Sequence, residues 1–189
     1  MRHDVFIAGY GGQGVLLAGN LLSYAAIIEG KNVSFFPAYG VEKRGGAAMC
    51  TVVIADGDVG SPVVGSPSFT MAFNQTSLDK YGSRVRPGGT LLINSSLVDL
   101  TGFARTDIEI ISLPLIDIAR ELGDPRMVNM VAVGAYAARS GAVAVSTLAV
   151  ALRDALPERN HRFIPANVQA IEAGAALICE KDRDKSLDV

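Results

Sequence analysis

Gly9-Tyr10-Gly11-Gly12-Gln13-Gly14 puts four glycines into six residues, directly after the apolar run Val5-Phe6-Ile7-Ala8 and directly before an apolar-periodic stretch that reaches Ile28. The order is strand, glycine turn, helix. Glycines at such a turn let the backbone take positive φ and let a ligand reach the amides without meeting a Cβ. Those amides open a helix, whose first N–H groups have no intrahelical partner and whose dipole is positive at that end. The natural guest is a phosphate or pyrophosphate. The same residues satisfy G-x-G-x-x-G, but a dinucleotide site also needs an acidic residue at the end of the second strand to hold the ribose. The second strand-like run, Val33-Ser34-Phe35-Phe36, leads into Pro37-Ala38-Tyr39-Gly40 without a carboxylate. The residues therefore favour a phosphate cradle, ahead of a tight turn that only packs helix on strand and then of an NAD site.

A second loop, Pro37-Ala38-Tyr39-Gly40-Val41-Glu42-Lys43-Arg44-Gly45-Gly46, sets adjacent cations beside two glycines. Guanidinium donors and free amides both suit phosphate oxygens, so Arg44, Gly45 and Gly46 form a candidate anion grip, against the alternative of a solvated turn. Polar residues also follow other strand-like runs: Asn74-Gln75 after Phe69 to Phe73, and Asn94-Ser95-Ser96 after Leu91 to Ile93. Ligands of open α/β sheets gather at such strand ends. Asn74 reads equally as a helix N-cap and Ser95 as a turn residue. The candidate ligand contacts are thus Gly9, Gly11, Gly12, Gln13, Gly14, Arg44, Gly45, Gly46 and Asn74, with no residue assigned to catalysis or to a metal.

Composition narrows the rest. Cys50 and Cys179 are the only cysteines, 129 positions apart, so no iron–sulfur cluster can be built from this chain alone, and both read as buried free thiols. His3 and His161 have no triad logic around them and read as surface or structural residues. The net charge is −2 from 19 acidic and 17 basic residues, and the basic residues are scattered, which excludes a nucleic-acid footprint. The uncharged stretch from Val5 to Ile28 is too interrupted by glycine, Gln13, Asn20 and Ser23 for a signal or membrane segment, so no membrane contact and a cytosolic, cytoplasmic protein are expected.

The elements that must position these loops alternate. Strands are expected at Val5 to Ala8, Val33 to Phe36, Ala48 to Ala55, Phe69 to Phe73, Leu91 to Ile93 and Ile108 to Ser112. Helices are expected at Gln13 to Glu29, Gln75 to Tyr81, Ile116 to Leu122, Val128 to Arg139, Thr147 to Leu156 with Ser146 as its cap, and Ala166 to Glu180. Apolar strands alternating with helices predict a single-domain α/β fold, a three-layer α/β/α sandwich with a mostly parallel sheet. Residues 1–180 form that domain. Asp56 to Pro62 reads as a hairpin-like excursion, and residues 181–189 as a frayed charged tail.

Taken in order, G-Y-G-G-Q-G, P-A-Y-G-V-E-K-R-G-G, C-T-V-V-I-A-D, Gly60-Ser61-Pro62, Phe73-Asn74-Gln75, Gly88-Gly89-Thr90-Leu91-Leu92-Ile93-Asn94, Asn129-Met130-Val131-Ala132-Val133-Gly134 and Glu158-Arg159-Asn160-His161 resemble the gamma subunit, or gamma domain, of the 2-oxoacid:ferredoxin (flavodoxin) oxidoreductases. The likeness spans about Asp4 to Gly174. The resemblance implies a subunit of a complex that decarboxylates a 2-oxoacid on thiamine diphosphate with Mg2+, passes electrons through iron–sulfur clusters to ferredoxin, and releases an acyl-CoA. It implies alpha and beta subunits as partners, with delta where one exists, and ferredoxin reached through them. The form of the second loop looks most like 2-oxoglutarate and branched-chain members, with pyruvate and indolepyruvate enzymes related. The Gly-Asp-Gly of a thiamine diphosphate site is missing here, so the chain is expected to bind no cofactor alone and to be inactive alone, its loops walling a cleft that coenzyme A phosphates approach. An NAD(P)-dependent dehydrogenase domain and a purely structural assembly module are the competing readings.

Overall fold

The computed structural model describes residues 1–39 and 46–187. Among these, six strands form one sheet: β1 (Arg2–Tyr10), β2 (Asn32–Tyr39), β3 (Ala47–Ala55), β4 (Phe69–Ala72), β5 (Thr90–Asn94) and β6 (Glu109–Leu113), in spatial order β2-β3-β1-β4-β5-β6. The helices are α1 (Val15–Ile28), α2 (Gln75–Tyr81), α3 (Leu115–Glu121), α4 (Val128–Ser140), α5 (Val145–Ala155) and α6 (Ile164–Leu187). Each expected strand and helix is present, with ends moved by a few residues.

The sheet is mostly parallel, as expected, with one strand reversed. β1, β4, β5 and β6 pair in parallel, while β3 runs antiparallel to both β1 and β2 and lies between them. The cause is chain length: only residues 40–46 separate β2 from β3, and a parallel crossover needs a dozen or more. Helix α1 carries the chain over one vacant position, and β3 turns back into it.

One row of side chains shows how the sheet seats its helices. Cys50, Ile7, Met71, Leu92 and Ile111 are register partners across β3, β1, β4, β5 and β6, and all five are buried in the core cluster shared with α1, α3, α4, α5 and α6. The opposite face carries a smaller cluster, in which Ala72, Leu91 and Ile93 meet Leu78 of α2 with Val85 and Val98. The two outer layers are therefore unequal, five of the described helices against one.

Two expectations about helix ends are corrected. Ser146 lies inside α5, whose N-cap is Ala144; the Ala144 N–H donates to Glu29 Oε1 at 2.7 Å, so a tertiary carboxylate starts the helix instead of a local hydroxyl. Nor does the last helix stop at Glu180. Helix α6 continues to Leu187, and Lys181 Nζ donates to Ser112 O at 2.9 Å, tying the helix to the outer edge of β6. The segment after β3 forms no paired hairpin; Arg2 Nη1 holds it through Val59 O at 2.8 Å.

Candidate functional site

The glycine turn sits at the carboxyl end of β1, as the sequence predicts, and its glycines serve different ends. Gly12 has φ +97° with no atom within 4 Å of where a Cβ would stand, so it is held by backbone conformation alone. Gly14 is the N-cap of α1 at φ +71°, and a Cβ there would sit 2.6 Å from Asn129 Cγ. Gly9 is still within β1 and leaves room for the carboxamide of Gln13, whose Oε1 would lie 2.7 Å from a Cβ at this position.

Gln13 turns inward. Its Oε1 accepts from Tyr10 N at 2.7 Å and from Asn74 Nδ2 at 2.9 Å, and its Nε2 donates to Phe73 O at 3.4 Å. Asn74 caps α2, its Oδ1 accepting from Ser77 N at 2.9 Å. Asn94 donates to the same Phe73 carbonyl at 3.3 Å. This amide chain, buried at Asn74 and Asn94, pins the turn to the ends of β4 and β5. Gln13 thus braces the turn and Asn74 caps α2.

Backbone donors stand beside these side chains. No side chain caps α1, and neither an acidic residue in its first turn nor a basic one in its last offsets the dipole, which leaves roughly half a positive charge on the first N–H groups. Gly11 and Gly12 are exposed. Arg44 and Gly45 lie outside the described residues. Gly46, the last residue of the second loop, accepts at its carbonyl from Gly11 N at 2.9 Å, so the second loop rejoins the sheet directly beside the first.

On the other side of the turn, a cleft of about 540 Å³ is bordered by Gly12 and Gly14, by Leu122 to Asp124, by Arg126 and Met127, by Asn129, and by Asn160, Phe163 and Asn167. Its floor is apolar, with Leu17, Leu156 and Ala166, and its rim carries carboxamides and the ion pair of Asp124 with Arg126, whose Nη2 and Oδ2 are 2.6 Å apart. The Arg126 guanidinium holds the Asp124 carboxyl below its usual range. Sequence reasoning assigns no site role to Arg126, Asn129, Asn160 or Asn167, because no local pattern links them to the glycine turn; a strand-helix turn followed far along the chain by a second run of polar residues is the only available hint.

The thiols offer no cluster site. Cys50 is buried against α1, and burial pushes its thiol up to about 12. Cys179 is exposed on α6, which corrects the expectation that both are buried: it falls on the outer side of a long helix. Among the described residues no three His, Cys, Asp or Glu side chains stand together as metal ligands. His161 Nε2 lies 3.0 Å from both Arg153 O and Leu156 O and ties down the end of α5, a structural role. Among the described residues no helix is long and apolar enough to cross a membrane.

Sheet order and a glycine turn at the end of β1 define an α/β protein with one mostly parallel six-stranded sheet. A family model described as pyruvate ferredoxin/flavodoxin oxidoreductase matches residues 4–177, and the chain belongs to that family. It is 39% identical over 175 residues to the ketoisovalerate oxidoreductase subunit VorA of Methanothermobacter marburgensis, covering 90% of this chain and 35% of that protein. It is 33% identical over 189 residues to the 2-oxoglutarate synthase subunit KorC of Methanothermobacter thermautotrophicus, covering 97% of this chain and 98% of that one. The crystal structure of a keto/oxoacid ferredoxin oxidoreductase gamma subunit from Geobacter sulfurreducens PCA superposes with a TM-score of 0.80 at 30% identity, covering 94% of this chain and 99% of that one. The chain thus spans about a third of the VorA proteins and nearly the whole of the separate-subunit relatives.

Proposed function

We propose that this chain is the gamma subunit of a 2-oxoacid:ferredoxin oxidoreductase, with 2-oxoglutarate as the substrate, and that its glycine turn and second loop form the wall against which coenzyme A phosphates rest. The Gly11 to Gly46 hydrogen bond carries the reading, because it seats the end of the second loop, two positions from Arg44 along the chain, beside the uncapped start of α1. Amide donors with a guanidinium close by in the chain suit a phosphate, and the dipole adds to both. Thiamine diphosphate and iron–sulfur chemistry would be supplied by alpha and beta subunits, and by delta where one exists, with ferredoxin reached through them. The chain alone is inactive under this reading. Its own residues bind and orient: the Gln13 and Asn74 chain fixes the turn, Gly12 leaves it open, and α1 aims its amides outward. The similarity to a ketoisovalerate subunit makes a branched-chain 2-oxoacid the second substrate to test.

Steady-state kinetics of the assembled complex test both parts. A charge-assisted phosphate contact contributes roughly 1.5–3 kcal/mol, so Arg44→Ala should raise the coenzyme A KM by about 10- to 150-fold. Arg44→Lys should recover only part of that, having the charge without the fork. An unchanged KM with intact assembly moves the anion site elsewhere. Across a panel of 2-oxoacids, kcat/KM should be highest for 2-oxoglutarate; a higher value for a branched-chain 2-oxoacid replaces that substrate.

A further inference from the structure

Asn129 sits in the first turn of α4, 115 positions from Gly14, and is only 3% exposed. Its Nδ2 donates to Gly14 O at 3.2 Å, the carbonyl that also accepts the first helical hydrogen bond of α1, from Ala18 N at 2.9 Å. Its carboxamide fills the place a Cβ on Gly14 would need, with Cγ 2.6 Å and Cβ 3.2 Å from that point. Gly14 is therefore required twice, by its φ of +71° and by Asn129. The other carboxamides, half-buried Gln13 and buried Asn74 and Asn94, hold the turn from the side of β4 and β5. Among the described residues, Asn129 is the side chain that holds the cap carbonyl of α1 from the side of the cleft.

A cap residue without a side chain of its own has two soft dihedrals, and rotation about the Gln13–Gly14 segment would swing the first N–H groups of α1 with it. A second donor on the Gly14 carbonyl removes that freedom, since the peptide plane is then fixed by two bonds in different directions. We propose that Asn129 is a positioning residue for the anion site: it locks the Gly14 peptide so that the opening amides of α1 point at the phosphate. The inference rests on the coenzyme A reading above. Asn129 touches no ligand and acts through Gly14.

A double-mutant cycle on the assembled complex tests it, read as the coenzyme A KM. Asn129→Leu keeps the bulk beside Gly14 and removes the donor; it should raise that KM on the order of tenfold, as misplaced binding groups do, while the 2-oxoacid KM moves by less than about twofold. Gly14→Ala should raise it further, because its methyl overlaps the Asn129 carboxamide. In an Asn129→Ala background that overlap is gone, so Gly14→Ala should then cost at least about fivefold less than it does with Asn129 present. A loss confined to thermal stability, or strictly multiplicative effects of the two substitutions, overturns the inference. Arg44→Ala serves as the reference. If Arg44→Ala raises the coenzyme A KM and Asn129→Leu does not, Asn129 has no positioning role; if neither raises it, the phosphate reading falls and this inference falls with it. Should Asn129→Leu fail to assemble, Asn129→Ala alone, compared with the double variant, gives the same decision.

Discussion

Gly134 on α4 and Gly174 on α6 mark a crossing at which two helix backbones touch, and the width of the cleft depends on it. A Cβ on Gly134 would overlap the Ile171 carbonyl oxygen and lie 2.7 Å from its carbon and 2.9 Å from its Cα; one on Gly174 would overlap the Val131 oxygen and lie 2.8 Å from its carbon. These are backbone atoms within two helices and cannot swing aside. Ordinary contact begins at 3.4 Å, so Gly134→Ala must part the helices by at least about 0.7 Å, and more at the oxygen. A gap of that size forfeits roughly a quarter to a half of each dispersion contact along the seam, where Val131, Ala135, Ile171 and Ile178 are buried. Together with the strain of an overfilled site, the expected cost is about 2–3 kcal/mol. For a chain of this size that lowers Tm by roughly 4–12 °C, measurable by thermal unfolding followed by circular dichroism. Gly141→Ala is the control: φ there is +63° with nothing within 4 Å, so it should lose only about 1 kcal/mol to backbone strain. Equal Tm values for the parent protein and Gly134→Ala would refute the close crossing. Because Asn129 lies five residues before Gly134, and Ala166 and Asn167 begin α6, Gly134→Ala should also raise the coenzyme A KM in the complex.

Three other outcomes are expected. Gly12→Val and Gly12→Ala should destabilise the chain by a similar ~1–3 kcal/mol, since the surroundings are open and the strain lies in the backbone, but valine should raise the coenzyme A KM more; equal KM values would mean no ligand approaches there. Maleimide at about pH 8 should label Cys179 in the folded chain and leave Cys50 unmodified until denaturant is added, which mass spectrometry of tryptic peptides reads directly; prompt labelling of Cys50 would contradict its burial. Burial first, then Lys31, holds His3 below its ordinary value of 6.5, so the unfolded chain takes up this proton more readily. Stability should therefore be complete above about pH 6.5 and fall as pH drops below it, and His3→Gln should flatten that slope in a Tm series.

The sequence determined the glycine turn, its place between a strand and a helix, and the order of the other elements, because those properties are local: apolar runs, turn residues and backbone freedom are written within a few positions of one another. It also carried the length of the β2 to β3 connection, from which the reversed strand follows. Tertiary structure alone decided which polar residues bond one another. Gln13 and Asn74 each flank a strand end in the sequence, and the fold joins them: Asn74 Nδ2 donates to Gln13 Oε1 across 61 positions, and Gln13 Nε2 to Phe73 O across 60. Asn129 looks like one polar residue in an apolar helix, and its meaning appears only when α4 lies beside Gly14. Ser146 loses its capping role to Glu29 for the same reason, since a carboxylate brought by another helix reached the amide first. Local rules fix what an element can be; only packing fixes which donor meets which acceptor, because those pairings depend on where distant backbones cross.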